Sequence, residues 1–149
     1  MIVIAHNIRS LHNIGSIFRN AAAFGVEKLY LTGFSETPPR KEIAKVALGA
    51  QDMVPWEKRE IGKLIDELHS LGYIVVGLEN TEEGVPITTF IHSTTFVKSS
   101  LLALVLGNEV DGIEKNVCLK LDALVEIPMK KKKSLNVSVA GGIAMFMLS

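Results

Sequence analysis

The feature that most constrains this chain is the alternation of short, nearly uninterrupted apolar runs with longer stretches of helical periodicity. Tyr73–Leu78 and Leu101–Leu106 are apolar at almost every position, a pattern expected of strands that are covered on both faces. Ile2–Ala5, Lys28–Thr32 and Ala123–Ile127 are also within strand length. Between them, Ile14, Ile17, Phe18, Ala21 and Phe24 recur at helical spacing up to Gly25, and Ile61, Leu64, Ile65, Leu68 and Leu71 do so up to Gly72. Strands alternating with helices predict an α/β domain with a mostly parallel sheet flanked by helices. In such sheets ligands sit outside the carboxyl ends of the strands.

The remaining segments are read in the same way. The first helix is expected to open at Asn13, a short helix to cover Arg40–Leu48 after the Pro38-Pro39 pair, and a strand to lie near Met53–Trp56, broken by Pro55. A last helix is expected from about Leu135 to the C-terminus. Its apolar stretch is too short to span a bilayer and contains Asn136, Ser138, Gly141 and Gly142.

Three stretches at predicted strand ends are richer in Gly, Asn and Glu than a plain loop requires: the loop after Leu78, residues Gly107–Gly112, and Lys130–Asn136. The last of these follows Ile127-Pro128-Met129 with four lysines and then Ser134-Leu135-Asn136. A strand ending in Pro, a basic loop and a helix opening with Ser and Asn present backbone amides and carbonyls to a ligand, and a cofactor is expected there.

Totals narrow the possibilities. A chain of 149 residues, 48% hydrophobic and 21% charged, with no low-complexity run beyond the four lysines, predicts a single folded domain over residues 1–149. Met1–Ala5 is too short an apolar run for a signal peptide, and the single cysteine, Cys118, suits a reducing compartment, so a cytoplasmic protein is expected. The formal net charge is zero but uneven: residues 1–50 carry +3, residues 51–128 carry −7 and residues 129–149 carry +4. If the two basic ends meet in space they offer an anionic partner a positive surface; otherwise they are solvated faces.

Several signatures fail. Gly107-Asn108-Glu109-Val110-Asp111-Gly112 has P-loop glycine spacing but continues with Ile113-Glu114 where Lys-Ser/Thr must meet phosphate and magnesium. Neither a dinucleotide glycine fingerprint nor a nucleophile elbow occurs. His6, His12, His69 and His92 lack metal-ligand spacing, so no metal is expected and each reads as a surface or loop histidine.

Taken together, three segments resemble the SpoU-type RNA 2′-O-ribose methyltransferases of the SPOUT superfamily: Asn13-x-Gly15-x-x-x-Arg19 through Gly25, Leu104-Val105-Leu106-Gly107-Asn108-Glu109 through Gly112, and Ile127-Pro128-Met129 with Ser134-Leu135-Asn136-Val137-Ser138. They occur in the family's order at about its spacing, and together span essentially the whole chain. The all-lysine loop and the short tail depart from the pattern. The resemblance implies a C-terminal trefoil knot, S-adenosyl-L-methionine as cofactor, methyl transfer to a ribose 2′-hydroxyl of tRNA or rRNA with a lean towards tRNA, and a homodimer packed through the first and last helices. It implies a minimal form without a separate RNA-binding extension.

By the same resemblance, Leu78, Gly107, Ile127, Met129, Ser134 and Leu135 hold the cofactor. Arg19 assists activation of the hydroxyl, Glu109 and Asn136 organise the site, and Asn13 either joins them or serves as a helix N-cap. A guanidinium keeps its proton, so Arg19 is expected to bind phosphate and stabilise the developing alkoxide. Arg9, Arg40 and Lys41 are candidate RNA contacts together with Arg19. Lys130 and Lys131, with the two lysines after them, contact RNA phosphate or the cofactor carboxylate, or form a solvated loop. Methylation of a base nitrogen and a non-catalytic binding module on the same scaffold are the alternatives.

Overall fold

The structure, a computed structural model, describes residues 1–94, 96 and 101–149. Its frame is a seven-stranded sheet in which every pairing is parallel. The strands are β1 (Ile2–His6), β2 (Lys28–Thr32), β3 (Trp56–Arg59), β4 (Ile74–Leu78), β5 (Val85–Pro86), β6 (Leu102–Leu106) and β7 (Ala123–Glu126). They lie in the order β3-β2-β1-β6-β4-β7-β5. The helices are α1 (Leu11–Ala23), α2 (Lys41–Ala47), α3 (Ala50–Met53), α4 (Ile61–Ser70), α5 (Ile87–Phe90), α6 (Lys115–Cys118) and α7 (Val137–Leu148).

Side chains of successive strand residues point to opposite faces, and that alternation divides the core in two. Val3, Ala5, Leu29, Leu31, Leu104 and Leu106 pack with Ile14, Ile17, Phe18 and Ala21 of α1 and with Ala144, Met145 and Leu148 of α7. Ile2, Ile4, Tyr30, Val75, Ala103 and Val105 pack on the other side with Leu64, Ile65 and Leu68 of α4. β1 and β6 are buried at every position, as their apolar runs predict.

Small residues set how closely the helices approach. A Cβ on Gly15 would lie 2.5 Å from the Ile43 carbonyl oxygen of α2, one on Gly141 2.8 Å from Leu106 of β6, and one on Gly142 2.9 Å from the Asn20 amide. The glycines of α7 are used inside the chain, where α7 lies on α1 and β6.

Three local expectations change. α1 begins earlier than Asn13, because Ser10 is its N-cap and accepts from the Asn13 amide at 3.2 Å. The strand expected near Met53–Trp56 starts at Trp56: Ala50–Met53 is a helical turn, and Pro55, with no N–H, sits just ahead of the edge strand and offers only its carbonyl, to Leu29. His6 is no surface histidine. It is 3% exposed and bridges Thr32 Oγ1 (2.8 Å) and Glu114 Oε2 (2.6 Å). The two-residue β5 and the four-residue α5 and α6 have no clear period and were not foreseen.

Candidate active site

Strands β6, β4 and β7 are neighbours in the sheet, so the segments that leave their carboxyl ends come together although they lie far apart in sequence. The loop after Leu78, the 107–112 loop and the 127–136 segment enclose a cavity of about 270 Å³, at the small end of sites for small molecules. All six residues expected to hold a cofactor, Leu78, Gly107, Ile127, Met129, Ser134 and Leu135, line it. Glu109 and Asn136 line it as well, with Lys133 the cation on its wall.

The 107–112 loop holds its own shape. Asn108 and Gly112 exchange both backbone hydrogen bonds (2.9 and 3.0 Å), Asn108 Oδ1 accepts from the amides of Val110 and Asp111, and its Nδ2 donates to the Asn7 carbonyl at 2.8 Å. A Cβ on Gly107 would lie 2.6 Å from the Gly112 carbonyl carbon. Glycine is thus required for the loop to close on itself.

One polar chain ties this loop to two helix starts. Glu109 accepts from the amides of Arg9 (2.9 Å) and Ser10 (3.0 Å) and from Asn13 Nδ2 (2.9 Å). Burial pushes the Glu109 carboxyl up, but these hydrogen bonds to the ionised form together outweigh it and hold the group below its ordinary value. Asn13 Oδ1 in turn accepts from Asn136 Nδ2 at 3.0 Å. Asn136 caps α7 by accepting from the Ser138 amide (2.9 Å) and hydroxyl (2.6 Å), and the Ser138 carbonyl accepts from Asn20 Nδ2 at 2.8 Å. Asn13 is therefore a connector between Glu109 and Asn136, and the cap role belongs to Ser10.

Arg19 is elsewhere. It is exposed on α1 and lines an open groove of about 570 Å³ with Asn20, Phe24, Ser138, Val139, Ile143 and Phe146, not the cavity. Among the described residues it has no hydrogen bond or ion pair. The groove's floor is apolar and open: Phe146 is 65% exposed and Val139 51%. The Asn136–Ser138–Asn20 links join this groove to the cavity through the start of α7.

The basic candidates separate. Arg9 is exposed while its amide is held by Glu109 beside the cavity. Lys130 and Lys131 are exposed in the loop before Ser134, whose end is tied down where Asn80 Nδ2 donates to the Lys133 carbonyl at 2.7 Å. Arg40 pairs with Glu36 (3.4 Å) and Glu42 (3.8 Å), and Lys41 is exposed at the start of α2. Individual residues that sequence reasoning missed are Glu79, Asn80 and Asn108. Their loops stood out by composition, but no spacing singles out these side chains. Among the described residues there is no group of three or more His, Cys, Asp or Glu arranged to hold a metal, and no helix long and apolar enough to cross a membrane.

A doubly covered parallel sheet, a ligand-sized cavity at the carboxyl ends of three adjacent strands and a C-terminal helix capped on the rim of that cavity define an α/β protein built to bind a small molecule. The chain belongs to the SpoU rRNA Methylase family, whose model matches residues 1–146. It is 32% identical over 148 residues to the 23S rRNA (guanosine-2′-O-)-methyltransferase RlmB of Vibrio vulnificus, covering 98% of this chain and 57% of that protein. The RlmB of Nitrosomonas europaea is 33% identical over 148 residues, with 98% and 54% covered. The chain thus spans a little over half the length of the curated relatives it matches. Among solved structures, an AdoMet-bound rRNA methyltransferase from Sinorhizobium meliloti superposes with a TM-score of 0.89 at 26% identity, over 99% of this chain and 54% of that one. A TrmH/SpoU tRNA modifying enzyme of A. aeolicus gives 0.84 at 30% identity, over 99% and 72%. The shared fold is consistent with the expected C-terminal trefoil knot.

Proposed function

We propose that this chain is an S-adenosyl-L-methionine-dependent RNA methyltransferase that modifies a ribose 2′-hydroxyl. The observation that carries the reading is convergence: six residues chosen for a cofactor line one cavity, and Glu109, Asn13 and Asn136 form one hydrogen-bonded chain on its rim. The cavity fits an adenosyl ligand by its donor set. Apolar walls at Leu78, Ile127 and Leu135 suit a purine, while strand-end backbone and polar side chains serve its hydroxyls and amino-acid tail. When bound, the sulfonium supplies an already activated methyl group.

The chain's own residues then position the acceptor. Lys133, on the cavity wall, is placed to meet a carboxylate, and exposed Arg9, Lys130 and Lys131 nearby offer phosphate contacts. Arg40 and Lys41, at the start of α2, are separate candidate RNA contacts, Arg40 once it gives up its carboxylate partners. Arg19 does not line the cavity of its own chain. The exposed apolar residues around it support a homodimer through α1 and α7, in which Arg19 faces the partner's cavity and stabilises the developing alkoxide, while phosphate or water takes the proton. The relatives' names divide between 23S rRNA and tRNA, and the target is one of the two.

Two measurements test this. A thermal shift with S-adenosylhomocysteine should add about 2.7 kcal/mol of stability at 100 times its Kd. Transfer of a labelled methyl group to total RNA, followed by mass-spectrometric mapping of 2′-O-methyl nucleotides, should identify the modified position. Absence of both stabilisation and transfer at millimolar ligand would overturn the reading, and label on a base nitrogen would replace it with the base-methylating alternative.

A further inference from the structure

Two carboxylates stand on the cavity wall, Glu79 and Glu109. Glu109 has both oxygens engaged by Arg9, Ser10 and Asn13. Glu79 is different. Its backbone amide donates to the Val125 carbonyl at 3.0 Å, which fixes the residue at the end of β4, and its Oε2 accepts from the Ile113 amide at 2.8 Å. Among the described residues Oε1 has no hydrogen-bond partner.

The neighbouring loop is shaped around this carboxylate. A Cβ on Gly112 would lie 2.2 Å from Glu79 Oε2 and 3.0 Å from Oε1, so the carboxylate lies where a side chain would stand, and the φ of +69° at Gly112 favours glycine. The result is an acceptor oriented through Oε2, with Oε1 free of partners among the described residues, at the carboxyl end of a central strand. Acidic side chains near strand ends in nucleotide-binding α/β folds accept from ribose hydroxyls.

Resting on the cofactor reading above, we propose that Glu79 Oε1 accepts from the vicinal hydroxyls of the adenosyl ribose and so selects a ribonucleoside ligand. An ionised carboxylate is acceptor-only, and an adenosyl amino acid has three kinds of donor: the diol, the adenine amino group and the ammonium. The purine suits the apolar wall. Glu79 follows directly on β4, the strand-end position at which acidic side chains meet ribose hydroxyls, and this favours the diol over the ammonium, a choice that the titration below decides.

The test is calorimetric titration of the wild-type protein and Glu79→Gln with S-adenosylhomocysteine, methylthioadenosine and its 2′-deoxy and 3′-deoxy forms. In the glutamine variant the amide oxygen is held by the Ile113 N–H and an NH₂ group replaces the acceptor. We expect about a tenfold loss for both S-adenosylhomocysteine and methylthioadenosine, and a similar loss on the wild type for at least one deoxy form that is not repeated on the variant. Equal affinity of variant and wild type, or a loss confined to S-adenosylhomocysteine, which alone carries the ammonium, would overturn the assignment while leaving the cofactor reading intact. Wild-type protein that binds neither parent ligand would overturn both. If the variant's unliganded melting temperature shows that it does not fold, the wild-type titrations decide: deoxy forms that bind as tightly as methylthioadenosine sink the proposal.

Discussion

The cavity and the groove differ in completeness. In the cavity, loops from three adjacent strands bind one another: Asn108 closes its loop, Glu109 holds two amides and a side chain, and among the described residues Glu79 Oε1 has no partner. In the groove, Arg19, with no hydrogen bond or ion pair among the described residues, shares the lining with exposed Val139, Ile143 and Phe146. Small-molecule binding needs what one chain already holds, whereas the proposed chemistry needs a cation that this chain presents elsewhere. On the proposed reading, affinity belongs to the cavity and turnover to the meeting of cavity and groove.

The strongest way to break that contrast is Arg19→Ala. Because Arg19 lies outside the cavity, S-adenosylhomocysteine affinity in calorimetry should be unchanged, while methyl transfer should fall about 10²- to 10³-fold, as for loss of one oxyanion-stabilising donor. Mixing this variant with one disabled in the cavity should restore part of the activity if the arginine acts across a dimer. No restoration would confine each site to its own chain.

Glu109→Ala should act on the other member of the pair. It strips an acceptor from the Arg9 and Ser10 amides and from Asn13, and should lower unfolding stability by about 2–4 kcal/mol in denaturant titration. Its lowered pKa gives this a pH signature. The contribution is present above the ordinary glutamate value of about 4.3 and disappears as pH falls through the lower folded-state value. The stability gap between wild type and variant should therefore be full at neutral pH and narrow in acid, and a pH-independent gap would show that charge is not the cause.

Asn136→Ala should have the smallest effect. It removes the α7 N-cap and the link to Asn13, at a cost of about 1 kcal/mol in thermal unfolding. Its sharper reading is kinetic. If Asn136 couples cavity to groove, kcat should fall more than the stability loss explains.

How legible was this arrangement? The segment 127–136 and the 107–112 loop were found because Gly, Asn and Pro mark backbone turns by their own covalent limits, whatever the fold around them. Strand positions were found because an apolar run short enough for a strand reports burial on two faces. Less was visible where the cause is remote. His6 looked exposed because its partners, Thr32 and Glu114, are distant in sequence. Glu79 stood out only as part of its loop, since its significance depends on Gly112 and Ile113 folding over it. What the glycines of α7 meet is likewise set by packing, which places Leu106 and Asn20 against them.

Periodicity and turn chemistry are local, and they alone determined an α/β sheet with ligand-facing loops at its carboxyl ends. What the tertiary structure decided is the neighbourhood: β6 inserted between β1 and β4, β7 beside β4, and hence which loops share a cavity and which helix face is left with Arg19. Strand order follows from contacts between residues far apart along the chain, and those depend on how all the faces pack at once, a quantity that no single stretch of sequence contains.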